Sequence, residues 1–232
     1  MSDIISRSFK FQNAENIHFS ALGNVRIIQG DEEESILVEG SQEALEHIKF
    51  EQEGSHVHIR LYTWYDFLFV PLPASYTIKV KKLYSFSISG SAEMVADTLT
   101  TPRLDLSISG SGRMRIGEVN VAEIQATSSG SGNFDLAKIT AQEVKTSLSG
   151  SGNFRLDGTA EKLSVRVSGS GEVDGSQLAV RREEIHISGA ARIVCQVSDD
   201  LDVHISGAGE ILYQGAPKIR QSISGSGTIR QQ

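Results

Sequence analysis

Cysteine is almost missing from this chain of 232 residues: the lone Cys195 excludes an internal disulfide and fits a reducing compartment only weakly. No window holds the 18 or more apolar residues that a spanning helix needs. The opening residues, Met1 to Arg7, lack the apolar run of a signal peptide, so the expected compartments are the cell interior or, after removal of a leader, the envelope. Positive charge does not predominate either. A net charge of −7 and a pI near 5.4 argue against nucleic acid or an anionic membrane as the default partner. Aromatic residues are only 6% of the chain, and helix signals are nearly absent.

What is present is a repeat. Ser-Gly pairs stand at 89, 109, 129, 149, 168, 188, 206 and 224, with intervals of 20, 20, 20, 19, 20, 18 and 18. A fixed period near 20 marks a solenoid whose units stack on one another. The residue before the Ser is apolar in seven of eight copies, Ser128 being the exception. Four residues after the Gly all eight are apolar, from Met94 and Met114 through Phe134 and Phe154 to Ile229. These positions share one parity, as do the Gly and the Gly or Ala two residues later, and in a strand one parity means one face.

An inward face reading large, large, small, small, large suits a strand that turns a corner, with both glycines tucked inside. The outward face is Ser, Thr or charged. Strands 18 to 20 residues apart that cannot pair within their own coil must pair with the coils above and below. The expected fold is therefore all-β: a right-handed, single-stranded parallel β-helix with an N-terminal strand-and-hairpin portion. At about 4.8 Å per coil, eight coils make a rod of roughly 38 Å. Stacking also turns sequence columns into ladders. Arg115, Asp135, Arg155 and Asp174 alternate in sign, as do Glu172, Arg192 and Glu210, while Asn133 is placed over Asn153. Such columns neutralise themselves, which favours structure over catalysis.

Residues 1–232 read as a single β-helix domain, with 1–85 less regular than the array of 86–232. Ile17 to Ile27 reads as a degenerate copy of the repeat. Gly30 to Glu34 reads as a solvated hairpin tip. Ser41 is placed to cap a short helix, and Ile48–Glu51 with Val57–Leu61 reads as a hairpin about Glu53-Gly54. The segment holding Trp64, Tyr65, Phe67 and Phe69 is the most aromatic of the chain. It reads as a lid over the open end of the core or as an exposed partner surface.

The SISGSG and SGSGNF units, preceded by GNVRIIQGDEEE and SILVEGSQEALEHIKFE, make the chain similar to the auto-transporter adhesin head domain, or GIN domain. That resemblance implies a right-handed parallel β-helix of the bacterial cell envelope. It brings no catalytic residue to carry over.

His186 and His204 share an outward column beneath Arg166 and form a candidate partner surface with it; as a metal pair they lack a completing ligand in that column. His56 and His58 share a face of the hairpin. Asp105 and Asp202 face outward about five coils apart, and Asp199-Asp200 is expected at a solvated bend. Cys195 shares the inward parity of Ile193 and Val197, so a buried apolar role is expected. The Ser-Gly motif has no His-acid pair recurring with it and no Gly-Lys-Ser/Thr after it. No cofactor and no metal are expected. The sequence thus points to a non-catalytic structural or adhesion-type module binding carbohydrate or protein. The alternatives are a β-helical polysaccharide lyase or hydrolase and a self-associating intracellular scaffold, for which a homo-oligomer would form on the open edge of the last coil.

Overall fold

In a computed structural model, residues 4–61 and 74–232 are described. Trp64, Tyr65, Phe67 and Phe69 lie outside the described residues. Six long strands each wrap most of one coil: β9 (Glu93–Gly110), β10 (Arg113–Gly130), β11 (Asn133–Gly150), β12 (Asn153–Val167), β13 (Glu172–Ile187) and β14 (Arg192–Ile205). Each pairs in parallel with the next, so that Met94, Met114, Phe134, Phe154, Val173 and Ile193 stand directly over one another. These columns are the core. The rings of Phe134 and Phe154 stack at 4.8 Å between centroids, a contact that only parallel, in-register coils provide. The array begins with β8 (Ser85–Gly90), paired with β9. It closes with β15 (Glu210–Gln214), β16 (Lys218–Ile223) and β17 (Thr228–Gln231), of which β15 and β16 pair with β14 and β17 with β15.

Changes of period are absorbed away from the Ser-Gly corner. Leu136 pairs with Leu156 but Ile139 pairs with Gly158, so one residue drops out between them. Between β13 and β14 the shift falls between Gly175 and Ala179 and again between Val180 and Arg182. The corner stays in register because its glycines leave no freedom there. A Cβ on Gly169 would stand 2.0 Å from the carbonyl oxygen of Gly150 in the preceding coil. The first glycine of the repeat therefore faces its stacked neighbour along the rod axis, not the interior as parity suggests, because the corner rotates the backbone out of the pleat. The second glycine is the inward one: a Cβ on Gly132 would meet Ile108 Cγ2 at 2.5 Å. Ser128, which breaks the apolar column, is fully buried and donates to the Gly132 carbonyl at 3.2 Å.

Outward ladders form where the columns predicted them. Arg115 lies 3.5 Å from Asp135 and 3.6 Å from Glu93, Arg192 lies 3.9 Å from Glu172, and Asn153 Nδ2 donates to Asn133 Oδ1 at 3.0 Å. Exposed pairs of this kind contribute about 0–1 kcal/mol each, so they set register more than stability.

The N-terminal residues are threaded out of sequence order. β2 (Asn16–Ser20) and β3 (Gly23–Gln29) form a coil directly beneath β8 and β9. Their other edges pair in parallel with β6 (His56–Leu61) and β7 (Ala74–Val80), so the later segment makes the coil farther out. Beyond it the pairing turns antiparallel. β4 (Ser35–Gly40) runs against β7, β1 (Ile5–Lys10) against β4, and β5 (Ile48–Glu53) against β6. These strands, with Ile36 and Val38 buried on β4 and Leu45 on the short helix that follows it, close the end of the core.

Gly30 to Glu34 is accordingly no hairpin tip. β7 lies between β3 and β4, and the segment crosses over it. Glu34 is buried and accepts from the backbone N–H groups of Asn13 and Lys81, which have no strand partner there to serve them. The helix α1 (Gln42–Glu46) is capped by Ser41, whose Oγ accepts from Ala44 N at 3.1 Å. Ser41→Ala is expected to cost about 1 kcal/mol in chemical denaturation.

Candidate functional site

In an extended strand residues i and i+2 share a face, and parallel stacking carries that face from coil to coil. One outward column runs Ser107, Thr127, Ser147, Arg166, His186, His204 and Ser222. The next, two residues on, carries the serines of the Ser-Gly pairs. Between them, along β10 to β14 and β16, lies a cleft of about 590 Å³, walled by hydroxyls such as Ser168, Ser188 and Ser206. Its surface is mainly apolar, and the buried core side chains Leu148, Val167, Ile187 and Ile205 lie just beneath it.

Arg166, His186 and His204, singled out by column position, come together here. The two imidazoles stack at 4.7 Å with an interplanar angle of 8°. Each has an acid on its own strand: His186 Nε2 is 3.6 Å from Glu184 Oε1, and His204 Nε2 is 3.1 Å from Asp202 Oδ1. Arg166 Nη1 donates to Ser164 Oγ at 3.2 Å, and its Nη2 lies 4.0 Å from Glu184. Asp202 also holds Arg220 Nε at 3.1 Å. His186 Nδ1 is buried without a hydrogen-bond partner.

The other candidates do not assemble into chemistry. Among the described residues no three His, Cys, Asp or Glu converge as a metal site. His18 and His58 meet at 5.7 Å between ring centroids, and burial, with His58 beside it, lowers the His18 pKa. Asp105 is tied to Arg103 and separated from Asp202 by the intervening coils. Asp199 and Asp200 do not form a bend: both lie within β14, held by Arg181 and Arg220.

One residue escaped the sequence reading. Glu183 occupies the inward column between Leu163 and Leu201, is 3% exposed, and has no hydrogen-bond partner for either carboxyl oxygen. Burial pushes its pKa up to about 8, and the Cys195 thiol opposes this only weakly. Burial first, then Glu183, raises the Cys195 thiol as well. The signal was available: alignment of the columns sets an acid where neighbouring coils carry leucine.

A family model described as "Putative auto-transporter adhesin, head GIN domain" matches residues 14–136 and 116–217. The chain superposes on a crystal structure named "putative lipid binding protein" from Parabacteroides distasonis, with a TM-score of 0.91 and 24% identity over 99% of this chain and 97% of that one. A "putative adhesin" from the same organism gives 0.88 and 20% over 100% and 98%. Another "putative adhesin", from Parabacteroides merdae, gives 0.82 and 20% over 99% and 96%. At these identities the likeness speaks for the fold. No curated protein matches the chain.

Proposed function

The chain belongs to the family of auto-transporter adhesin head GIN domains, and from that premise we propose a non-catalytic adhesion-type module of the cell envelope that holds a saccharide in the Ser-lined cleft. The observation that carries this reading is the cleft itself. A pyranose ring offers an apolar C–H face and a rim of hydroxyls, and the cleft offers a mainly apolar surface between a column of serine hydroxyls and a column that holds Arg166, His186 and His204. The charge ladders described above elsewhere on the rod are paired and self-neutralising. Neither the family nor the structures compared above carry the name of an enzyme.

A lipid is the second reading, favoured by the mainly apolar surface and by the name of the first Parabacteroides structure. A glycan array run beside phosphatidylcholine vesicles separates the two. Retention of wild-type protein on saccharides, lost in Ser188→Leu because the larger side chain fills the cleft, is the expected result. An array blank at every composition overturns the saccharide reading, and retention on vesicles alone replaces it with the lipid one.

A further inference from the structure

We propose that Arg166 and the His186–His204 stack form an anion subsite within the cleft, so that the saccharide it takes is acidic and is held more tightly as pH falls. This rests on the saccharide reading above and adds the charge of the ligand to it.

The charges around the stack explain why the histidines govern. On β11 stand Glu143 and Lys145, on β12 Lys162 and Arg166, on β13 Arg182 and Glu184, on β14 Asp200 and Asp202, and on β16 Lys218 and Arg220. They interlock: Lys162 lies 3.5 Å from Glu184, Arg166 4.0 Å from Glu184, and Arg220 3.1 Å from Asp202 and 3.6 Å from Asp200. Six cations stand against four carboxylates, so the fixed charge around the stack already favours an anion. The charge that remains to vary is that of the two imidazoles.

Arg166 has the donors to spare. Its guanidinium carries five N–H groups, of which one reaches Ser164 Oγ and the Glu184 contact is long. A planar fork of this kind takes a carboxylate or sulfate in two parallel hydrogen bonds. The stacked rings follow Arg166 in the same column, so an anion seated on the guanidinium lies beside them. With an imidazole protonated, the anion gains a second cation in a cleft partly screened from water. With both neutral, only Arg166 remains.

Binding of two matched pairs of probes tests this: oligogalacturonate against its methyl ester, and a sulfated cello-oligosaccharide against its unsulfated parent. The expected result is at least tenfold tighter binding of the acidic member at pH 5.5 than at pH 8, with no such change for the neutral member. Arg166→Gln should remove the preference for the acidic member. The double variant His186→Asn/His204→Asn should keep a weaker preference but lose its pH dependence, with thermal unfolding matching wild type. Equal, pH-independent binding of acidic and neutral members overturns the subsite and leaves the saccharide reading standing. Failure of all four probes together with a blank array, or retention on phosphatidylserine vesicles alone, overturns both.

Discussion

Gly169→Ala is expected to destabilise the protein by about 3–5 kcal/mol, the sum of overpacking and of one or two weakened inter-coil hydrogen bonds. The new methyl would lie 2.0 Å from Gly150 O, 2.6 Å from Gly150 N and 2.8 Å from Gly150 C, all main-chain atoms with no rotamer to yield. The coils cannot simply part, because Ser168 N donates to Leu148 O at 2.9 Å and Ser170 N to Gly150 O at 2.7 Å on either side. The cost is steric rather than conformational, since Gly169 does not take a left-handed backbone. Gly30→Ala is the control: nothing lies within 4 Å of its would-be Cβ, and it should be neutral or stabilising by about 0.5 kcal/mol. Urea titrations of the three proteins compare them directly. A Gly169→Ala protein as stable as wild type would show that the coils are not in van der Waals register at the corner.

Glu183→Leu is expected to stabilise the protein, and by an amount that grows with pH. Its carboxyl group sits among leucines with neither oxygen hydrogen-bonded, so even the neutral acid costs about 1–3 kcal/mol relative to an apolar side chain. The sign of the pH dependence follows from the raised pKa. Between the unfolded value of 4.5 and the folded value of about 8 the unfolded chain has released this proton and the folded chain retains it. Raising pH through that window therefore favours unfolding, by up to about 1.4 kcal/mol per pH unit. At pH 5 the variant should lead by little more than the neutral-acid cost, and by pH 9 the gap should have widened by several kcal/mol, on the order of 4. Glu183→Gln, which cannot ionise, should remove the widening while leaving a buried polar group in place. Parallel stability curves for wild type and Glu183→Gln between pH 5 and 9 would refute the assignment of a buried, protonated carboxyl.

The two substitutions mark where sequence reading succeeds and where it stops. All eight copies carry glycine at the first corner position, so the intolerance of that site was visible, but the direction of the missing Cβ was not. Parity assigns faces in a flat strand, and a corner turns the face by rotating the backbone. Glu183 shows the converse: its column was implied by the spacing of Leu163 and Leu201, yet an acid amid polar neighbours reads locally as solvent-facing. In the cleft, the alignment of Arg166, His186 and His204 followed from the period. The cleft itself did not, because its depth depends on how far the two outward columns stand apart over the buried core.

By itself the sequence determined the period, the apolar columns, the parallel stacking and the sign of each charge ladder, since all of these are local pattern repeated at a fixed interval. Only the tertiary structure decided the order of the N-terminal coils, the crossing of Gly30–Glu34 over β7 and the antiparallel strands that close the core. Those depend on which distant edges meet: β3 lies against β7 and β9 rather than its sequence neighbour β4. Local alternation is the same whichever edge a strand joins, so the choice rests with the burial of Ile36, Val38 and Leu45 over the end of the core.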